Sequence, residues 1–184
     1  YGNVDGWSDL LWPHRWALYS FDAYINGARV YDYTFELTES SYFTAGVLCH
    51  EFFHVLGAPD LYHYNNTGAP DAVGGWDLME STSNPPQYMG AFLKWKYGDW
   101  IPEIPEITST GTYTLNPLQE PENSSYKIAS PNSDTEYYVL EYRVKEGAYD
   151  SNTPGSRDGL LVYRINTEAG NGNAQGPPDE VYLY

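Results

Sequence analysis

Residues 50–60 read His50-Glu51-Phe52-Phe53-His54-Val55-Leu56-Gly57-Ala58-Pro59-Asp60, and the spacing of their metal-binding side chains fixes what the surrounding chain must do. Two histidines four apart lie on one face of an α-helix, about one turn from each other, so both imidazoles reach one point. Catalytic zinc takes three protein ligands and leaves a fourth position for water. An H-E-x-x-H helix supplies two of the three. Glu51 projects beside that face, where a carboxylate takes a proton from water without being a ligand, and it is the candidate general base.

The third ligand follows from the turn. Gly57 stands where a helix C-terminus takes positive φ, and Pro59 follows where a helix cannot continue. The chain turns back and presents Asp60, giving a His50, His54, Asp60 set. The rival is a glutamate from a later helix, for which Glu80, 26 residues beyond His54, is the candidate. Glu80 lacks the helical context, so Asp60 is preferred. A bare H-E-x-x-H arises by chance in roughly one chain in a few hundred, and requiring Gly57 and Asp60 lowers that by about two further orders of magnitude. Two satisfied helix histidines without a metal are therefore the weaker reading.

The rest of the helix fits the assignment. Ser40 or Ser41 supplies an N-cap, and Leu48, Phe52 and Val55 form an apolar stripe away from the histidines, predicted to pack inward. Gly46 weakens the helix by about 1 kcal/mol relative to alanine, which implies a close-packed neighbour. Cys49 is the only cysteine. It is turned off the metal face and reads as a buried core thiol.

Beyond the motif, HEFFHVLGAPDLY, then GGWDLMESTS, then PPQYMGAFLKWKYGDW, the chain resembles the peptidase domain of the immune inhibitor A family, secreted bacterial zinc metallopeptidases related to the metzincins. YYVLEYRVKEGAYD and DGLLVYRIN resemble the family's β-rich continuation, so the likeness runs from about Leu11 to Val181. The resemblance implies that His50, His54 and Asp60 bind zinc and that Glu51 is the catalytic acid/base. It implies that Met79 is the Met-turn residue, an apolar floor beneath the metal and not a ligand. Phe53 departs from the family, which more often has glycine there. Strands and a backing helix that metzincins place before the zinc helix are mostly absent, so the resemblance also implies an N-terminally truncated domain.

Composition points the same way. The chain has 184 residues, 41% of them hydrophobic, with 13 prolines and 17 glycines spread as turn punctuation, enough for a real core. One cysteine excludes an intrachain disulfide framework. No apolar run approaches 18 residues, which excludes a transmembrane helix. The opening at Tyr1, with neither initiator methionine nor signal peptide, reads as a piece of a longer precursor. Nine basic against 25 acidic residues give a formal charge of −16, which disfavours nucleic acid as a partner. The acidity serves either the solubility of a secreted protein or the steering of cationic peptides.

Punctuation divides the chain into a catalytic core, residues 1–100, and a β-rich C-terminal segment, residues 101–184. Residues 15–19 and 28–37 are predicted strands around an Asn26-Gly27 turn. Residues 60–77 form an irregular loop at the cleft. A second helix is predicted from Asn84 as N-cap and Pro85 through the stripe Tyr88, Phe92, Trp95, ending with Lys94 and Lys96 in its last turn and Gly98 after it. The IPEIPEI stretch from Ile101 to Ile107 forbids helix. Strands are clearest at 137–144 and 160–165, with Tyr138, Leu140, Tyr142 and Val144 alternating onto one face. The class is α+β, a metzincin-like zinc peptidase domain followed by the β-rich segment.

Two smaller constellations complete the expectations. Tyr88 is a candidate to lend its phenol to an oxyanion, against the plainer role of a core tyrosine. Oxygens of Asp60, Asn65, Asn66, Asp71 and Asp77 are a candidate structural calcium brace, against a solvated loop. The function expected is a secreted zinc endopeptidase acting on protein or peptide substrates. Its alternative is an inactive fragment or an aromatic-rich extracellular binding or adhesion module. An intact Glu51 argues for the enzyme.

Overall fold

The computed structural model describes residues 12–38, 43–65 and 68–184. Strand β1 (His14–Ala17) pairs antiparallel with β4 (Asp32–Phe35), and a tight hairpin of β2 (Ala23–Ile25) and β3 (Ala28–Val30) stands between them. Asn26 and Gly27 close that hairpin with φ of 51° and 80°, the two successive positive values a type I′ turn requires. The predicted strand over 28–37 is in fact two strands in two different sheets. They part at Tyr31, whose carbonyl accepts from Leu18 N at 2.7 Å.

Helix α1 (Ala45–Val55) carries the motif. Ser40 and Ser41 lie outside the described residues. The cap is Thr44, whose hydroxyl accepts from Val47 N at 3.2 Å. Gly57 ends the helix at φ 98°, as its position predicts. The expected packing face is corrected: Gly46, His50, Glu51 and Phe53 are buried, while Leu48 and Phe52 stand 40% and 62% exposed. The histidine face is the one turned inward, against β1, β4 and the turn at Leu78. Cys49 is likewise exposed, not a core thiol. Phe53 takes up the inward role and stacks on Trp100 at 5.3 Å between ring centroids. Gly46 has the close neighbour its presence implies, since a Cβ there would sit 2.1 Å from Ser83 O.

Helix α2 (Ala91–Lys96) is shorter than predicted and is capped by Gly90, not Asn84. Amides just before it and at its first residue are taken by side-chain carboxylates. Tyr88 N donates to Asp150 at 2.9 Å, Gly90 N to Asp77 at 2.6 Å and Ala91 N to Glu141 at 2.7 Å. Strands β5 (Ser125–Ala129), β6 (Glu136–Arg143), β7 (Gly159–Asn166) and β8 (Val181–Leu183) form an antiparallel sheet in that order. The alternation along β6 holds, and the fully buried face is the one bearing Val139, Glu141 and Arg143.

That face carries charge into the interior. Arg143 Nε pairs with Glu141 at 2.7 Å and its Nη1 with Asp150 at 2.9 Å, while Nη2 donates to the carbonyl of Trp76 at 2.9 Å. Arg143 thus fixes the chain immediately before Asp77 and Leu78. One apolar core joins Phe53, Leu61, Leu78, Met79 and Leu93 to Val139, Tyr163, Ile165 and Val181. Ile104, from the proline-rich stretch, is buried in it. The two segments read from the punctuation therefore share their interior. No helix among the described residues is long and apolar enough to cross a membrane.

Candidate metal centre

Helix α1 delivers His50 and His54 with ring centroids 4.8 Å apart and planes 89° to one another. The turn at Gly57 and Pro59 then returns Asp60 to them. Asp60 Oδ1 lies 3.1 Å from His50 Nε2 and 3.3 Å from His54 Nε2. Among the described residues these three form a group that could hold a metal ion, their ligand atoms all within 4.8 Å of one another.

The hydrogen bonding around them shows which atoms of the group are free to accept a cation. His50 Nδ1 is 2.8 Å from the carbonyl of Leu78, and His54 Nδ1 is 2.7 Å from that of Ala58. A carbonyl can only accept, so both Nδ1 atoms carry the proton and the neutral rings present lone pairs at Nε2. Tyr64 donates its hydroxyl to Asp60 Oδ2 at 2.5 Å. The other oxygen, Oδ1, is buried without any hydrogen-bond donor. Two lone pairs and a carboxylate oxygen facing one another repel unless something positive joins them, and two imidazoles with one carboxylate are a zinc donor set. Titration behaviour agrees in sign. Burial opposes charge on His50, but Asp60, the Leu78 carbonyl and Glu51 outweigh it and raise its pKa. Burial likewise opposes ionisation of Asp60, and the two imidazoles with Tyr64 hold it well below the usual carboxylate range. The site attracts positive charge.

Glu51 is 6% exposed and lines the same cleft. Burial raises its pKa most, the two imidazoles lower it, and Asp60 raises it further, for a net rise. A raised pKa makes a carboxylate a better proton acceptor. The cleft, about 710 Å³, is walled by Trp12, Trp16 and Tyr19 on the β1 side and by Tyr62 and Tyr64 beyond Asp60. Asn171, Ala174 and Gln175 from the C-terminal segment line it as well. The tyrosines after Asp60 and this loop escaped the sequence reading. Tyr64, four residues past a candidate ligand, was within reach of it; the loop, over a hundred residues away, gave no local signal.

Other expected residues fall elsewhere. Tyr88 is not in the metal cleft: its ring packs on Tyr149 at 5.2 Å beneath the Lys94 ammonium at 4.5 Å, and it lines a separate cavity. Glu80 is buried outside the group, its pKa pushed to about 8 by burial and by Asp71, Asp77 and Asp179. Asp77 spends its carboxylate on Met79 N and Gly90 N, Asp60 belongs to the histidine group, and Asn66 lies outside the described residues. Met79 is fully buried, and its carbonyl accepts from Leu61 N at 2.9 Å. The turn bearing it is thus tied to both sides of the site, through Leu78 to His50 and through Met79 to the residue after Asp60.

Residues 2–94 match the sequence model of the immune inhibitor A peptidase M6 catalytic domain. The chain is similar to immune inhibitor A of Bacillus thuringiensis subsp. alesti, 29% identical over 115 residues, covering 50% of this chain and 16% of that protein. It is also similar to the pre-pro-metalloprotease PrtV of Vibrio cholerae serotype O1 (strain M66-2), 32% identical over 94 residues, covering 45% of this chain and 10% of that protein. The chain therefore spans only a small part of the length of these curated relatives. No solved structure matches it. The matched segment holds His50, Glu51, His54 and Asp60; the residues beyond 94 stand outside the family match.

Proposed function

This chain belongs to the immune inhibitor A family of M6 peptidases, and on that footing we propose that it is the catalytic part of a secreted zinc endopeptidase, with His50, His54 and Asp60 as ligands and Glu51 as general base. The observation that carries the reading is the convergence of His50 Nε2, His54 Nε2 and a donorless Asp60 Oδ1 on one point. Bound there, zinc supplies a Lewis acid that polarises a carbonyl and acidifies water. The chain's own residues do the rest. Leu78 O and Ala58 O fix the tautomer and orientation of the two imidazoles, and Tyr64 aims Asp60 by holding its second oxygen. Glu51 takes the proton of the attacking water and returns it to the leaving amine.

Met79 fits the role of an apolar floor, which supports a metzincin-like reading of the fold. The pre-pro form of one relative and the strongly acidic composition support secretion. Protein or peptide is the substrate that suits an open cleft walled by aromatic rings. The test is cleavage of a fluorogenic peptide with and without chelator, beside Glu51→Gln. Glutamine keeps the shape and removes the proton acceptor, so turnover falls by at least about two orders of magnitude while zinc content is unchanged. Equal cleavage by wild type and Glu51→Gln removes Glu51 from the mechanism.

A further inference from the structure

The loop from Gly170 to Gly176 lies in the segment outside the family match, yet it is built into the metal cleft. Asn173 is its anchor. Fully buried, it donates its backbone N–H to the carbonyl of Asp60 at 3.0 Å, and its side chain bonds Leu61 O at 3.1 Å and both polar groups of Val181, at 2.7 and 3.0 Å. Gly172 is pressed so closely that a Cβ would sit 2.4 Å from Asp60 O, and its N–H donates to Glu180 at 2.6 Å. Ala174 O accepts from Tyr64 N at 2.9 Å. The loop is thereby stitched to the strip of chain that bears Asp60 and Tyr64, and its place relative to them is fixed.

Two side chains on this rigid loop are left unused. Asn171 and Gln175 are exposed, line the cleft that contains His50 and Glu51, and make no hydrogen bond with any described residue. Each offers an amide donor pair and an acceptor. Asn171 holds φ 61°, a left-handed turn conformation that asparagine adopts readily. The same cleft also offers a different chemistry, with Trp16 and Tyr19 presenting rings 56% and 66% exposed. A ligand in this cleft meets both amide hydrogen bonding and aromatic surface. An extended polypeptide has both faces, a backbone of alternating donors and acceptors and side chains projecting from it.

Resting on the endopeptidase reading above, we propose that the Gly170–Gly176 loop is the substrate-binding wall of the cleft: Asn171 and Gln175 hold the peptide backbone, and Trp16 and Tyr19 receive a bulky apolar side chain. Asn173 acts as a positioning residue that ties this wall to Asp60.

Binding is read separately from turnover by working in the full chain carrying Glu51→Gln, loaded with zinc. The probe is a fluorescently labelled, end-blocked octapeptide with a central phenylalanine, and the same peptide with alanine in its place. Asn171→Ala/Gln175→Ala should raise Kd for both peptides at least about fivefold, with zinc affinity and melting temperature unchanged, since neither side chain supports the fold. Trp16→Ala should weaken the phenylalanine peptide at least about fivefold and leave the alanine peptide nearly as it was. Kd unchanged in the double variant, or no peptide binding before it is introduced, overturns the proposal. If instead the peptide binds and responds as described but wild-type chain shows no chelator-sensitive cleavage, the loop assignment stands and the peptidase reading falls.

Discussion

Asp60 Oδ1 is the atom on which the metal assignment turns, because it is buried beside two imidazole lone pairs and receives no hydrogen bond. Its partner oxygen is held by Tyr64. Removing such an orienting contact typically costs ten- to a hundredfold in metal affinity, so Tyr64→Phe should weaken zinc binding by about tenfold or more in a competition titration, without loss of fold. Glu80 gives a pH prediction. Its pKa in the folded chain is pushed up to about 8 from an ordinary value near 4.5. The folded state therefore keeps a proton that the unfolded chain has shed, and stability from this group is present below about pH 4.5 and lost as pH rises toward 8. Glu80→Gln should melt above wild type at pH 8 and show no such gain at pH 5. The four residues of the proposed chemistry were legible because metal ligation imposes fixed spacings on a helix and its exit turn. Tyr64 and Asn173 were not, since hydrogen-bonding partners of a ligand obey no spacing rule.

Secondary structure shows which local signals tertiary contacts override. The helix and its glycine stop followed from sequence, but its packing face was misjudged: hydrophobicity assigned Leu48 and Phe52 to the interior, while the metal face itself needed burial against Leu78 and β1. Gly46 was read correctly from its helix cost alone. Gly46→Ala should gain up to about 1 kcal/mol in helix propensity, yet its Cβ would meet the Ser83 carbonyl at 2.1 Å, and overpacking costs about 1–3 kcal/mol. A backbone carbonyl cannot rotate aside as a flexible side chain can, so the melting temperature should fall by several degrees. Helix α2 started late because Asp77 and Asp150 claim the amides of Gly90 and Tyr88 before it, partners up to 62 residues away, while Glu141 holds the amide of its first residue, Ala91. Arg143 is the hub of that network. Arg143→Ala leaves buried carboxylates without their cation, which costs about 3–5 kcal/mol, and a melt should register a fall of about 10 °C. Arg143→Lys recovers charge but not the forked geometry and should restore only part of it.

At the scale of the molecule, the division at Ile101 separates both helices and the first four strands from the four-stranded sheet, but it does not divide the core. Punctuation reveals where regular structure stops and cannot reveal which segments share an interior. Phe53, Leu61 and Met79 pack with Val139, Ile165 and Val181, and the C-terminal loop reaches the metal cleft. Thermal unfolding should accordingly show one cooperative transition, with near- and far-ultraviolet circular dichroism superimposing; two separated transitions would mean that the segments fold independently. The central claim is that residues 50–60 build a zinc centre from His50, His54 and Asp60. Zinc stoichiometry by equilibrium dialysis and mass spectrometry tests it most directly, in the wild-type chain and in the single variants His50→Ala, Asp60→Ala and Glu80→Gln. The account predicts one zinc per wild-type chain, one in Glu80→Gln, and none held stoichiometrically by His50→Ala or Asp60→Ala. Full zinc in Asp60→Ala with loss in Glu80→Gln would contradict it.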